Sequence, residues 1–134
     1  MKSIILALII TLTGCATADY AQIADVGTTI IGIESGLGME GNPVWGGASW
    51  PVIAVVKIGV TQVVKHTPSE FCEPGLFWIT AGGYGAALWN IGVMAGSGPA
   101  AIPAILGLWW WQWDNWQTEA INDCKTPFSF EEAR

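Results

Sequence analysis

Residues 74–113 read PGLFWITAGGYGAALWNIGVMAGSGPAAIPAILGLWWWQW and contain no charged side chain. In a typical soluble domain about one residue in four is charged, so a run this long without charge sets the fold class. It is long enough for two apolar helices of about 20 residues each, the length that crosses a bilayer. Gly96-Ser97-Gly98-Pro99 supplies a turn between them. Small residues recur four apart: Ala81 with Gly85, Gly82 with Ala86, Gly92 with Gly96. In lipid, helices gain nothing from the hydrophobic effect on associating, and small residues let their backbones approach and pack. A β-rich soluble fold with glycines at bulges is the other reading, and the length of the uncharged run favours helices.

The run ends in Trp109, Trp110, Trp111, Trp113 and Trp116. Indole combines an apolar body with one N–H donor and favours the headgroup level of a membrane. On a helix these residues point to every side, which predicts an interfacial collar. An aromatic platform for a sugar-like ligand is the alternative.

Toward the N-terminus, Trp50 to Val64 is apolar and β-branched with a single charge, Lys57, near its middle. Its length favours a helix over a strand, and Lys65-His66-Thr67-Pro68 ends it. Residues 36–47 are turn-like, with Asn42-Pro43 and Gly46-Gly47. Tyr20 to Leu37 is the weakest apolar segment. Its apolar positions recur at helical spacing, but it also carries Asp25, Thr28, Thr29 and Glu34.

The first residues have the order of a secretory signal: Lys2, an apolar stretch from Ile4 to Leu12, then Leu12-Thr13-Gly14-Cys15. The last four resemble the bacterial lipobox. That resemblance implies cleavage before Cys15 and acyl chains on the Cys15 sulfur and amine, enough to anchor a protein firmly. Ala16 after it implies sorting to the outer membrane, whereas helical spans imply the inner membrane. If Cys15 is taken by lipid, Cys72 and Cys124 remain as an even pair. Four alternating spans place both on the same oxidising side, which predicts a disulfide. Lys65 on that side runs mildly against the positive-inside rule.

Hydrophobic residues make up 51% of the 134-residue chain and charged residues 12%, with 17 Gly and nine Trp. The net charge is −6 and the few Lys and Arg are scattered, which argues against a nucleic-acid footprint. Acidic residues gather at Asp114, Glu119, Asp123, Glu131 and Glu132 and read as a solvated tail. A single histidine, His66, has no metal-ligand spacing around it. Ser35 and Ser49 lack a nucleophile-elbow context, and Gly82-Gly83-Tyr84-Gly85 is followed by no phosphate-loop Lys. The sequence therefore offers no enzyme chemistry, no cofactor and no metal site.

The polar residues follow an order of their own: Asp25-Val-Gly-Thr-Thr29, Glu40-Gly-Asn42-Pro43, Lys57 and Trp89-Asn90. This resembles a family of small bacterial integral-membrane proteins catalogued only as a domain of unknown function. Its members have an Asp and Thr in a first helix, a Glu-x-Asn-Pro turn, a Lys in the next helix and an Asn in the third. The resemblance covers roughly residues 20–95 and implies a helical membrane bundle, without an activity. Independently of it, an ionisable group within a bilayer costs about 2.5–3.5 kcal/mol at the centre, so Lys57 needs a partner. Asp25 and Glu40 are the candidates, with Asn90 able to add a hydrogen bond. Asp25, Thr29, Glu40, Asn42, Lys57 and Asn90 are therefore expected to form an intramembrane polar cluster, either a ligand or ion site or a pair that fixes helix register.

These readings predict an all-α fold, a transmembrane bundle of three to four helices. They divide the chain into a lipoprotein signal (1–14), an apolar membrane-embedded region (15–113) and an acidic tail (114–134). The expected role is structural, accessory or exclusion-type at the cell envelope. The expected partners are membrane lipid and another membrane protein or a second copy, met through the Gly-rich helices. A lipoprotein with a compact periplasmic binding domain and a small channel- or transporter-like oligomer are the rival expectations.

Overall fold

The computed structural model describes residues 18–36 and 49–125. The signal segment with Cys15, the turn with Glu40 and Asn42, and residues 126–134 lie outside the described residues. Four helices follow in order: α1 (Ala18–Glu34), α2 (Trp50–Lys65), α3 (Ser69–Met94) and α4 (Ala101–Lys125), with a short 3-10 turn at Gly98–Ala100 before α4. The all-α class is as expected, and there is no strand among the described residues.

The chain runs up, down, up and down. Asp19 at the start of α1 meets Lys65 at the end of α2, and Cys72 near the start of α3 is bonded to Cys124 near the end of α4. α1 and α3 are parallel, because Gln22 reaches Ile79 while Thr29, further along α1, reaches Asn90.

Local sequence explains where the helices stop. α2 has a proline in its first turn, where a missing N–H costs nothing. It ends before Pro68, whose ring disfavours helical geometry in the residue ahead of it. α3 starts directly after Pro68 and carries Pro74 inside it, so the turn between α2 and α3 is confined to residues 66–68. α3 closes with Gly96 at φ 75°. Gly96 N–H bonds the Val93 carbonyl at 2.9 Å and Ser97 N–H bonds the Gly92 carbonyl at 2.8 Å. This is a Schellman cap, whose left-handed position suits glycine.

The core lies where α1, α3 and α4 meet. Ala18, Ala21 and Ala24 of α1 join Ala81, Tyr84, Ala87 and Leu88 of α3 and Leu108, Trp116 and Ala120 of α4. The α1–α3 approach is set by Gly83: a Cβ there would sit 2.8 Å from both the carbonyl carbon and oxygen of Ala21. Sequence pairing at four-residue spacing singles out Gly82 instead, which has nothing within 4 Å.

α4 continues past the expected boundary at Trp113. Trp116 is 1% exposed and stacks on Tyr84 with ring centroids 5.7 Å apart, and Ala120 is buried. With Cys124 bonded to Cys72, these contacts hold residues 114–125 as helix. Asp114, Glu119 and Asp123 therefore lie on a packed helix.

α2 is peripheral. Only Ile53 and Thr61 of it are buried, while Val52, Val55, Val56, Ile58, Val60 and Val63 are exposed. No helix among the described residues is long and apolar enough to cross a membrane.

Candidate functional site

The polar residues of α1 fall on one stripe. Asp19, Gln22, Asp25, Thr28 and Thr29 recur at helical spacing, which turns them to the same side. On α2, Ile53, Lys57, Thr61 and Lys65 are each four residues apart and form the matching line. The two lines face each other.

Lys57 Nζ donates to Asp25 Oδ2 at 2.5 Å, with 15% and 6% of the two side chains exposed. Close by, Asn90 of α3 donates through Nδ2 to Thr28 Oγ1 at 3.2 Å and to Thr29 Oγ1 at 3.0 Å. The Thr28 hydroxyl lies 3.0 Å from both the Ala24 and the Asp25 carbonyl oxygens. Thr61 returns its hydroxyl to the Lys57 carbonyl at 3.1 Å. Three helices thus meet around one buried ion pair and one amide. Coulomb attraction strengthens as water is excluded, and the threonines satisfy their own hydroxyls on helix carbonyls, a habit of buried Thr in helices.

Of the residues singled out from sequence, Asp25, Thr29, Lys57 and Asn90 come together here. Glu40 and Asn42 lie outside the described residues. Thr28 and Thr61, both fully buried, join the cluster without being among its expected members, although the four-residue recurrence from Lys57 points to Thr61. A second ionic contact, from Lys65 to Asp19, escapes it too. Gln62 Nε2 adds a hydrogen bond to Asp19 Oδ1 at 3.0 Å. Lys65, which the topology expectation leaves out of place, has the Asp19 carboxylate as a partner.

The arrangement is built to hold charge in place. The Asp25 and Lys57 charges neutralise each other, and Asn90 is occupied by two hydroxyls. Among the described residues no group of three His, Cys, Asp or Glu side chains could hold a metal ion.

The tryptophans divide. Trp110 and Trp111 are 88% and 66% exposed. Trp109 instead donates its Nε1 to the Ala81 carbonyl at 3.1 Å and packs on the core. Trp116 is core, and its indole N–H has no hydrogen-bond partner among the described residues. Glu119, one turn on, has a buried carboxylate oxygen also without a partner among them. Burial, with help from the nearby Asp123 charge, pushes the Glu119 carboxyl above its usual range. No protein-family model, curated protein or solved structure matches this chain.

Proposed function

We propose that this chain is a small helical membrane protein of the bacterial cell envelope, anchored by lipid at Cys15, with a non-catalytic structural or accessory role. Membrane lipid and a second membrane protein, or another copy of the chain, are its partners. The observation that carries this reading is a largely apolar outer face around a bundle that holds an ion pair inside. The interior combines Ala, Gly and Thr and an Asp–Lys pair with Leu76, Tyr84, Leu108 and Trp116, while Val55, Val63, Ile102, Leu106, Trp110 and Trp111 stand exposed. Large apolar side chains scattered singly over a surface are ordinary. A continuous valine face on α2 opposite a buried ion pair is what a lipid-facing helix needs. The individual helices are modestly apolar because their inward faces hold Gly, Thr and Asn90, which lipid would not meet. In this reading the Asp25–Lys57–Asn90 cluster fixes the register of α1, α2 and α3. The inner membrane is the favoured location. The resemblance to small integral-membrane proteins of unknown function points the same way, since its Asp, Thr, Lys and Asn positions are the ones that meet.

A second reading has its own observation. Because no described helix is long and apolar enough to cross a membrane, the bundle also suits a compact periplasmic binding domain held to a membrane by acyl chains alone. One experiment separates the two. Residues 1–15 are replaced by an ordinary cleavable signal, and the membranes are extracted with alkaline carbonate. Retention in the pellet is expected if the bundle is embedded. Release of folded, disulfide-bonded protein into the supernatant refutes the embedded bundle and leaves the second reading.

A further inference from the structure

Between the first half of α3 and the second half of α4 lies a groove of about 410 Å³, whose lining includes Glu73, Phe77, Trp78, Trp113 and Gln117. Its aromatic wall is a set of crossed rings. Phe77 and Trp113 have centroids 4.6 Å apart at 68°, Phe77 and Trp78 are 5.1 Å apart at 79°, and Trp78 and Trp113 are 6.2 Å apart at 88°. Phe77 is buried as the floor, while Trp78 and Trp113 are 55% and 39% exposed. Each edge-to-face pair covers one face of one ring and leaves the other faces of the two rings out of that contact, and each face carries negative quadrupole density. Glu73 has no hydrogen-bond or ion-pair partner among the described residues. A carboxylate with no counter-charge among the described residues, beside crossed indoles, is a complement to a cation with an apolar skin.

We propose that this groove binds a small quaternary ammonium group of the choline type, held by cation–π contact with Trp78 and Trp113 and by the Glu73 charge. Aromatic boxes recognise such groups because the positive charge is spread over carbon-bound hydrogens that pack against ring faces. A sugar platform would need several polar side chains around a ring face, whereas Glu73 and Gln117 are the non-aromatic polar residues of this lining. The groove offers perpendicular rings and an acid. The site stands next to the Cys72–Cys124 end of the bundle and does not depend on whether the helices span. Its ammonium comes either from a lipid headgroup or from a free amine.

The test uses the full chain in an amine-free, non-ionic detergent. Choline chloride is titrated and tryptophan emission followed, with sodium chloride at matched ionic strength and the neutral isostere 3,3-dimethylbutan-1-ol as controls. A saturable change with choline is expected. It should weaken by about three- to tenfold in Glu73→Gln and in Trp78→Leu, the range a cation–π contact supplies, and should persist in Trp110→Leu. Helical circular dichroism and an intact disulfide certify the variants as folded. Dihexanoylphosphatidylcholine below its micelle concentration, against the phosphatidylglycerol analogue, then assigns the source. Tighter saturation by the choline lipid than by free choline marks a headgroup site, and equal saturation marks a free-amine site. The proposal is overturned if choline gives no saturable change, if the neutral alcohol binds as well as choline, or if Glu73→Gln and Trp78→Leu leave choline binding intact.

Discussion

α2 packs mainly against α1 and α4 packs against α3, and the two attachments use opposite chemistry. α4 is held by stacked and crossed rings, by Leu108 and Ala120 in the core, and by a covalent bond to Cys72. α2 buries only Ile53 and Thr61 and is fastened by Lys57 on Asp25 and Lys65 on Asp19, with valines facing away. A helix attached by packing loses stability in proportion to the atoms removed. A helix attached by charge depends on two or three atoms, and on how little water reaches them. The comparison teaches that α2 is the part of this bundle most sensitive to a single substitution.

Lys57→Leu should therefore have the largest effect. It removes the Lys57 charge from beside the buried Asp25 carboxylate, and breaking a fully buried pair in this way costs about 3–5 kcal/mol, an upper bound for this part-buried one. Asp25→Leu combined with Lys57→Leu should recover much of this, since two apolar side chains leave no charge to desolvate. Thermal unfolding by circular dichroism, with protease sensitivity of the α2 segment, reads both. If Lys57→Leu leaves folding and membrane level unchanged, the charge-fastened account of α2 is wrong.

Breaking the covalent attachment of α4 comes next. The disulfide spans a sequence separation of 52, for which chain-entropy arguments give about 4 kcal/mol, with typical measured values of about 2–4 kcal/mol. Cys72→Ser with Cys124→Ser should lower the melting temperature while leaving the ring stacking of Trp116 on Tyr84 in place, so near-ultraviolet aromatic signals should survive at low temperature. Loss of those signals along with the bond would show that α4 rests on the disulfide alone, and the contrast with α2 would weaken.

A third perturbation tests the α1–α3 seam common to both attachments. Gly83→Ala places a methyl 2.8 Å from the Ala21 backbone, an overpacking expected to cost about 1–3 kcal/mol. Gly82→Ala, one residue away with nothing within 4 Å, should stabilise by up to about 1 kcal/mol through helix propensity. Opposite signs at adjacent glycines are hard to obtain from any cause except the close approach of α1 to α3 at Gly83, and equal signs would break that account.

The division between these regions also explains what is legible in the sequence. The helical class follows from a long uncharged run, and the Cys72–Cys124 pair from parity and an alternating chain path. Asp25, Lys57 and Asn90 are found because charge and amide stand out in apolar surroundings. What escapes is what looks ordinary in one dimension. Gly83 differs from Gly82 only in the face it presents, and Trp116 differs from Trp110 only by where α3 happens to lie. The acidic residues after Trp113 suggest a tail, since charge is visible in a sequence while a buried indole among carboxylates is not. A topology rule makes Lys65 look out of place, whereas its local partner Asp19 lies 46 residues away.

The smallest effect, and the one whose sign matters most, concerns the carboxylates themselves. Asp19 and Asp25 have lysine partners on α2, while the Glu119 carboxylate on α4 has a buried oxygen with no partner among the described residues. Burial first, and the Asp123 charge second, raise its pKa above that of the unfolded chain. Between the two values the folded protein holds more protons than the unfolded one, so this group's contribution to stability falls as pH rises through that window. Below the ordinary glutamate value, about 4.3, the penalty is absent. Glu119→Gln removes the ionisation, so the variant should be more stable than the parent at neutral pH and lose that advantage on acidification. The difference in melting temperature between the two proteins, followed with pH, isolates this group from the lysine-paired carboxylates, which both proteins share. A difference that stays constant with pH would mean that Glu119 finds its counter-charge after all, and that α4, like α2, is fastened in part by ions.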